Sequence, residues 1–267
     1  DRVGLLLAPP AFGLAMFVLS QGNRWGWLSA RTLVLVAIVV LLMGAFIRRS
    51  FVAPAPLLDL SLVRVRGYRV NVLAGVLQQA SFFGWFVTAP LVMRNVWNWD
   101  GWHVAAGLFV SQIMSSVGSP LSGVMVNRLG GARTIAIGAA INAAGAGWLV
   151  VVLSSAGSVS ATFTQFIPGA LLVGFGCSIC GTASSGVALS FVPAHDLGAA
   201  NSLQQLVRRM GGAMGVAAAF GLLGEADGRD MLPNAQRAWA LTAVLVALMI
   251  VPVLRANRRP GGALPAG

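Results

Sequence analysis

The sequence predicts an all-α integral membrane protein with about eight transmembrane helices. Of its 267 residues, 57% are hydrophobic, whereas only 18 are basic and 7 are acidic. A typical soluble domain carries about 25% charged residues, so this chain lacks the polar side chains needed to cover a globule in water. Its apolar residues instead form long runs, and a helix of about 20 apolar residues spans the roughly 30 Å hydrocarbon core of a bilayer.

Eight apolar runs are long enough to form such helices. The first contains Pro9 and Pro10 and has neither an initiator methionine nor a clear cleavage site, so we interpret it as a span and not as a signal peptide. Because residue 1 is Asp, we expect the sequence to be part of a longer chain. The runs lie at approximately 3–21, 31–47, 70–92, 103–126, 133–153, 162–192, 198–223 and 236–254.

The distribution of arginine predicts the orientation in the membrane. Eleven arginines lie in connections on the side that holds both termini, against five on the opposite side. Since short cytoplasmic loops are enriched in basic residues, we expect a multi-pass protein of a bacterial plasma membrane with both termini in the cytoplasm. Aromatic residues often mark the membrane interface, and we expect this role for the tryptophans of the outer connections. These are Trp25, Trp27, Trp97, Trp99 and Trp102.

The longest inner connection, residues 48–69, predicts a domain boundary. Pro54 and Pro56 are followed by leucines with interleaved arginines, a pattern that favours a short amphipathic helix on the cytoplasmic surface. An unstructured linker is the alternative. The predicted organisation is therefore two central helices in 1–47, the linker in 48–69, a six-helix bundle in 70–254 and a cytoplasmic tail in 255–267.

The composition excludes several classes of function. All 18 basic residues are arginines, so the chain has neither the lysine of a phosphate-binding GxxxxGK[ST] loop nor a lysine for Schiff-base chemistry. Two histidines and two cysteines cannot supply a clustered metal site, and we interpret Cys177 and Cys180 as packing residues. The arginines punctuate apolar runs and form no basic patch for nucleic acid. We therefore expect neither an enzyme nor a bound cofactor or metal.

Polar residues recur at helical spacing within the predicted spans. Such a stripe either holds helices together or forms the wall of a polar cavity for a solute, and three stripes on neighbouring spans favour the cavity. No Asp, Glu or His in the spans is an obvious proton carrier. The candidate cavity residues are Asn71, Gln78, Phe82 and Trp85 in the third span, Gln112 in the fourth, Asn142 in the fifth and Gln165 in the sixth.

The seventh span contains two further candidates, Arg208 and Arg209. The 15 residues between Arg209 and Glu225 form about 22–24 Å of helix, which is shorter than the hydrocarbon core. At least one arginine therefore lies inside the membrane or reaches to its edge, either as an anchor at the interface or as part of a cavity. Gly211 and Gly215 form a GxxxG pattern that, with Gly212, predicts close helix packing.

The connection between the fourth and fifth spans resembles the cytoplasmic loop motif of the major facilitator superfamily, Gly-x-Leu-x-Asp-Arg-x-Gly-Arg-Arg, in its second-half copy. Gly123, Arg128, Gly130 and Arg133 match, whereas Asn127 stands where the family often has Asp. A tight turn with arginines between two helices predicts an inner gate, in which hydrogen bonds to neighbouring helix ends break when the cavity opens inward.

Two further segments resemble the fourteen-helix drug:proton antiporter branch of this superfamily. They are Pro56–Leu60 and the stretch from Gly198 through Arg209 to Ala217. The resemblance implies that the last six spans are a C-terminal bundle of two inverted three-helix repeats and that the N-terminal six-helix half is missing from this sequence. It also implies proton-coupled export of hydrophobic or cationic small molecules. The alternative is a truncated or structural membrane protein without independent transport activity.

Overall fold

The fold of the described residues is entirely helical. The computed structural model describes residues 30–52, 64–153, 159–223 and 231–256, together with Leu62 and scattered positions between 7 and 29. A short 3-10 helix, Ala194–Asp196, precedes the long helix Leu197–Leu223. The long helices within these ranges are α1 (Ala30–Val52), α2 (Arg66–Asn95), α3 (Gly101–Leu129), α4 (Gly131–Leu153), α5 (Val159–Leu189), α6 (Leu197–Leu223) and α7 (Met231–Ala256).

The structure confirms the all-α membrane fold and the last six predicted spans. Helices α2 to α7 are each long and apolar enough to cross a membrane, whereas α1 contains a shorter apolar stretch, Ala30–Phe46. The predicted span 3–21 and the tail after residue 256 lie largely or wholly outside the described residues. The predicted linker 48–69 is shortened at both ends, because α1 continues to Val52 and α2 begins at Arg66; its central residues also lie outside the described part.

Helices α2 to α7 pack as two equivalent units of three. Helix α2 packs on α6 as α3 packs on α5, and α2 packs on α7 as α4 packs on α5. The remaining major contacts join α2 to α5 and α4 to α7, which are equivalent helices. The pattern is therefore unchanged when α2, α3 and α4 are exchanged for α5, α6 and α7. Because each unit contains three spans, the second enters the membrane from the opposite side, as in the inverted repeats of secondary transporters.

Trp97 and Trp99 fold back into one end of this bundle, which we call the tryptophan end. Both are buried, at 7% and 3% exposure, whereas Trp102 is 76% exposed. The expectation that Trp97 and Trp99 face the membrane interface is therefore wrong. Asn98 adopts a positive φ of 53°, and the Trp99 N–H donates to the Met93 carbonyl at 2.9 Å, which turns the short link inward.

The buried tryptophans belong to an aromatic cluster that joins three helices and the link between α2 and α3. The Trp97 ring lies 5.8 Å from Phe166 on α5 and 6.2 Å from Trp239 on α7. Trp85 on α2 stacks on Phe166 at 6.4 Å. Trp99 completes the set at 5.5 Å from Phe166. Centroid distances of this kind are those of favourable aromatic pairs, so the cluster fastens this end of the bundle by packing.

Asp100 forms the N-cap of α3 beside the aromatic cluster. Its Oδ1 accepts a hydrogen bond from the His103 backbone N–H at 2.8 Å and lies 2.6 Å from His103 Nδ1. The backbone hydrogen bond from His103, aided by the side-chain contact, lowers the pKa of the Asp100 carboxyl below its ordinary value. The carboxylate is thus the form that caps the helix.

Candidate functional site

A polar cluster lies at mid-depth of the bundle, where α2, α5 and α6 meet. Arg208 is the fifteenth of the 30 residues of the apolar segment Ala194–Leu223, about 21–23 Å of helix from either end. Its Nη1 donates to Ser185 Oγ and, at 3.3 Å, to the Gly181 carbonyl. Its Nη2 donates to Gln78 Oε1 at 3.2 Å. Arg208 therefore points into the bundle, from the middle of its apolar helical segment.

Two glycines make room for this arginine. A Cβ atom at Gly75 on α2 would lie 3.1 Å from Arg208 Cδ, and one at Gly181 on α5 would lie 3.2 Å from Arg208 Nη2. Gln78 extends the hydrogen-bonded chain, because its Nε2 donates to Cys177 Sγ at 2.7 Å. The cluster thus links α6 to α2 and α5 through side chains that meet at one depth.

The guanidinium charge of Arg208 has no counter-charge among the described residues. The ion pairs found there, His103–Asp100 and His195–Asp196, lie at helix ends. All three acceptors of Arg208 are neutral, and its Nε is buried without a hydrogen-bond partner. Removing a cation from water without a compensating charge costs free energy, so burial of the Arg208 guanidinium is unfavourable for the stability of the fold.

A cavity of about 440 Å³ adjoins the arginine between α2, α3, α5 and α6. Its wall carries three glutamine amides, two phenylalanine rings, the guanidinium and a set of hydroxyl groups from α3 and α5. Ser119 Oγ and Thr182 Oγ1 lie 3.0 Å apart on this wall. Gln112 and Thr182 are exposed, so the cavity opens on the face of the bundle. Its volume suits a drug-sized molecule, and its mixture of rings and polar groups is typical of a small-molecule site.

Four of the predicted cavity residues line this one space, namely Gln78, Phe82, Gln112 and Arg208. Arg209 lies outside it. Its side chain is exposed and borders an adjacent groove of about 570 Å³ between α2 and α6. Arg208 borders both this groove and the cavity, whereas Arg209 borders only the groove.

The other four predicted residues lie elsewhere in the bundle. Asn71 is buried near the start of α2, where its Nδ2 donates to the Gly67 carbonyl at 2.8 Å. Trp85 is 1% exposed within the aromatic cluster. Asn142 is buried in α4, and Gln165 is exposed, with its backbone carbonyl accepting a hydrogen bond from Trp148. Asn71 and Trp85 share the helix face of Gln78 but lie about two turns to either side of it, beyond the depth of the cavity.

The sequence-based interpretation missed the contribution of α5. Cys177, Ser178, Gly181, Thr182 and Ser185 line the cavity together. They recur at intervals of three and four, the spacing of one helix face. This stripe of small and hydroxyl-bearing residues is the signal that identifies α5 as a cavity wall.

The connection between α3 and α4 is a one-residue turn. Helix α3 ends at Leu129, α4 begins at Gly131, and Gly130 between them has a φ of +84°, which favours glycine. Gly123 lies within α3, where a Cβ atom would meet nothing within 4 Å, so it does not shape the turn. Asn127 and Arg128 occupy the last turn of α3.

The arginines of this turn face outward. Arg128 and Arg133 are exposed, and neither makes a side-chain hydrogen bond or ion pair with another residue in the described ranges. A cleft of about 620 Å³ beside the turn is bordered by Arg133, Gly186 and Ser190. Latching partners for these arginines thus do not lie among the helix ends that the structure describes.

The glycines of α6 lie against α2. A Cβ atom at Gly215 would collide with the backbone of Ala80, and one at Gly211 would lie 2.7 Å from Val76 Cγ1. Gly212 faces Phe83, and a Cβ atom added there would lie 3.1 Å from Phe83 Cδ2. Helices α2 and α6 are consequently in backbone contact over this stretch, which brings Arg208 within reach of Gln78.

Comparison with known proteins finds similarity to drug-export proteins, although no family model matches the chain. It is 27% identical over 234 residues to the tetracenomycin C resistance and export protein of Streptomyces glaucescens, which covers 88% of this chain and 42% of the relative. It is 27% identical to the colistin resistance protein EmrB of Acinetobacter baumannii, over 77% of this chain and 40% of the relative.

A similar match is found to the multidrug export protein EmrB of Escherichia coli, with 24% identity over 80% of this chain and 41% of the relative. The chain therefore spans about two fifths of the length of these relatives. The similarity extends across most of the bundle and agrees with its inverted-repeat packing. The similarity to these exporters agrees with the resemblance of the sequence to the fourteen-helix drug:proton antiporter branch of the major facilitator superfamily.

Proposed function

We propose that this chain forms the C-terminal part of a secondary transporter that exports hydrophobic or charged small molecules across a bacterial plasma membrane. The observation that carries the proposal is the polar cavity beside Arg208, at mid-depth of a bundle related to drug exporters. In transporters with inverted repeats, substrates bind near the membrane midplane at such a position. The remaining candidate residues on the cavity wall, Gln78, Phe82 and Gln112, provide two amides and a ring for a bound molecule.

Alternating access requires a second body. In this proposal α2 to α7 rock against a further six-helix bundle, and the cavity opening with Gln112 and Thr182 faces that partner. A cationic substrate finds its counter-charge on the partner, because no carboxylate borders the cavity in the described residues. The proton carrier also belongs to the partner, since the acidic or histidine residues of the described spans lie only at helix ends, at His103, His195 and Asp196.

The turn at Gly130 serves as part of the inner gate, and both termini lie in the cytoplasm. Arg128 and Arg133 are exposed and free of partners in the described bundle, so they are available to hydrogen-bond the helix ends of the second bundle in the closed state. In a complete exporter that contains this chain, replacing both with Ala should raise the rate at which a cysteine placed at Ser119, on the cavity wall, reacts with a polar thiol reagent from the cytoplasmic side. An unchanged rate would contradict the gate.

The transport proposal is tested by placing this chain in the context of a complete exporter. We would replace the matching segment of the Streptomyces relative with this chain and measure proton-gradient-driven efflux of ethidium and tetracenomycin C from proteoliposomes. The chimera is expected to export at least one compound, whereas the chain alone is expected to export neither, because it has no body to move against.

The native relative is the positive control, and equal protein incorporation is verified for every sample. Gradient-dependent efflux by the chain alone would overturn the two-body arrangement. A well-incorporated chimera that transports nothing would instead favour a structural role without transport.

A further inference from the structure

The cavity described above has a charge that the proposed function does not yet explain. Among the described residues, Arg208 is the only charged one on its wall, and the guanidinium has five N–H donors, of which three have acceptors there. The buried Nε is one of the two without an acceptor. A neutral side chain would serve a purely structural role at a lower free-energy cost, since insertion of an arginine into the membrane is unfavourable.

The surroundings of Arg208 hold the cation in place instead of neutralising it. Gln78 Oε1, Ser185 Oγ and the Gly181 carbonyl fix the guanidinium plane from α2 and α5, and all of them are neutral. Gly75 and Gly181 leave the space that the Arg208 side chain occupies. This is a preorganised positive charge beside an open space, which is the arrangement expected at a site for an anion.

The same wall offers a surface for an aromatic ring. Phe82 and Phe83 line the cavity on α2, with Phe82 stacked on Phe86 at 5.5 Å. Gln112 and the Ser119–Thr182 hydroxyl pair lie on the facing helices α3 and α5. The described part of the wall therefore presents a cation, two rings and neutral hydrogen-bonding groups, and it presents no carboxylate to a positively charged molecule.

We propose that this cavity binds aromatic acids, with the carboxylate or phenolate on Arg208 and the ring against Phe82 and Phe83. The inference rests on the proposed small-molecule function of the cavity and names one substrate class for it. Binding of the acid supplies the counter-charge that Arg208 lacks, whereas the neutral amide of the same acid supplies no charge. Selectivity for the ionised form is therefore the property that Arg208 confers.

The test is equilibrium binding of three molecules with the same ring to the full 267-residue chain in lipid nanodiscs. The probes are 1-naphthoate, its neutral amide 1-naphthamide and the cation 1-naphthylmethylammonium. Naphthoate should bind most tightly, and Arg208→Gln should weaken it by about 10- to 100-fold while changing amide binding by less than about threefold, as expected when a hydrogen-bonded charge pair is lost. Arg94→Gln, the same change of charge at an exposed residue near the tryptophan end of α2, should leave all three affinities unchanged.

Two further measurements keep the proposal testable if Arg208→Gln does not fold. Arg208→Lys retains the positive charge but lacks the planar guanidinium group. It should therefore retain the preference for naphthoate over the amide. In the unmodified chain, binding of a phenol such as 4-nitrophenol should increase as pH rises through the pKa of the phenol itself. Binding that does not follow ionisation of the phenol would contradict the proposal.

The outcomes separate this inference from the proposed function. If naphthamide or naphthylmethylammonium binds as tightly as naphthoate, the cavity is a small-molecule site but the acid selectivity is wrong. Equal weakening of acid and amide by Arg208→Gln would likewise reduce Arg208 to a packing role. If none of the three probes binds to a folded chain, the cavity itself is not a site for small aromatic molecules, and the site assignment underlying the proposed function is also overturned.

Discussion

The aromatic cluster at the tryptophan end and the Arg208 cluster at mid-depth hold the same helices together by different means. At the tryptophan end, Trp97, Trp239 and Phe166 are buried against one another, and the Trp239 indole donates to Thr88 Oγ1 at 3.2 Å. Around Arg208, glycines bring the backbones together, and neutral side chains hold a charge beside an open cavity. The first region is held together by packing, whereas the second contains a charge whose desolvation is not compensated by an opposite charge among the described residues.

The difference predicts that stability resides in the first region and ligand recognition in the second. Lipid tails are as apolar as the side chains of the helices, so moving a side chain from lipid into a helix interface gives no hydrophobic gain. Helix association in lipid therefore depends on van der Waals contact. Closely packed rings therefore contribute to folding, whereas an uncompensated guanidinium contributes little. Substitutions in the two clusters should separate these effects.

The largest loss of stability is expected for Trp239→Ala. This side chain is fully buried and contacts Trp97 across the bundle, and truncation of a buried Trp costs about 3–5 kcal/mol through lost contacts and the remaining cavity. Unfolding in mixed micelles measures the change. Trp102→Ala is the matched control, because that ring is 76% exposed and its loss should change stability by no more than about 0.5 kcal/mol. Equal effects of the two substitutions would show that the cluster is not a packed core.

A smaller loss is expected for Gly215→Ala, which tests the contact that joins both regions. The added Cβ would collide with the Ala80 backbone, so α6 must move away from α2, at a cost of about 1–3 kcal/mol. Gly221→Ala in the same helix is the control. A Cβ atom at this position would meet nothing within 4 Å, and the substitution replaces a glycine by a residue of higher helix propensity. A Gly215→Ala variant as stable as Gly221→Ala would contradict the close approach of the two helices.

The helices were predictable from sequence because a membrane span depends on local composition. The last six spans follow from apolar length alone, and their pairing into repeats agrees with the family resemblance. The inward fold of Trp97 and Trp99 was not predictable in this way. Their position in a polar connection indicates an interface, and only the positive φ of Asn98 and the rings of α5 and α7 bring them into the core.

The site was predictable in part for a similar reason. Helical spacing places Asn71, Gln78 and Trp85 on one face of α2, but it does not say at which depth a neighbouring helix leaves space. Only Gln78 of these three lies at the depth of the cavity. The different surroundings of Arg208 and Arg209 depend likewise on the close approach of α2 and α6, which is a property of two helices and not of one sequence segment.

Arg208→Met should change stability by less than about 1 kcal/mol in either direction, although the residue is partly buried. Its removal eliminates the cost of desolvating the guanidinium, and water in the adjoining cavity can hydrogen-bond the groups that lose a donor, Gln78 and Ser185. The same unfolding assay measures this change. A loss as large as that of Trp239→Ala would indicate that the Arg208 cluster is a structural element and would remove the contrast between the two regions.

The smallest effect is expected for Asp100→Asn, which tests whether the tryptophan end depends on charge. The pKa of the Asp100 carboxyl is lowered in the folded state, so its contribution to stability is present above the unfolded pKa of about 3.9 and is lost as pH falls through the lower folded value. Asn keeps an oxygen that can accept from the His103 N–H and cap the helix, but it does not titrate. The original chain should therefore lose slightly more stability than the variant when the melting temperature is followed from pH 5 to pH 3, because other carboxyls affect both equally. If the two curves instead differ strongly at neutral pH, then the ion pair with His103 stabilises this end as much as the rings do, and the description of it as a region held by packing would have to be abandoned.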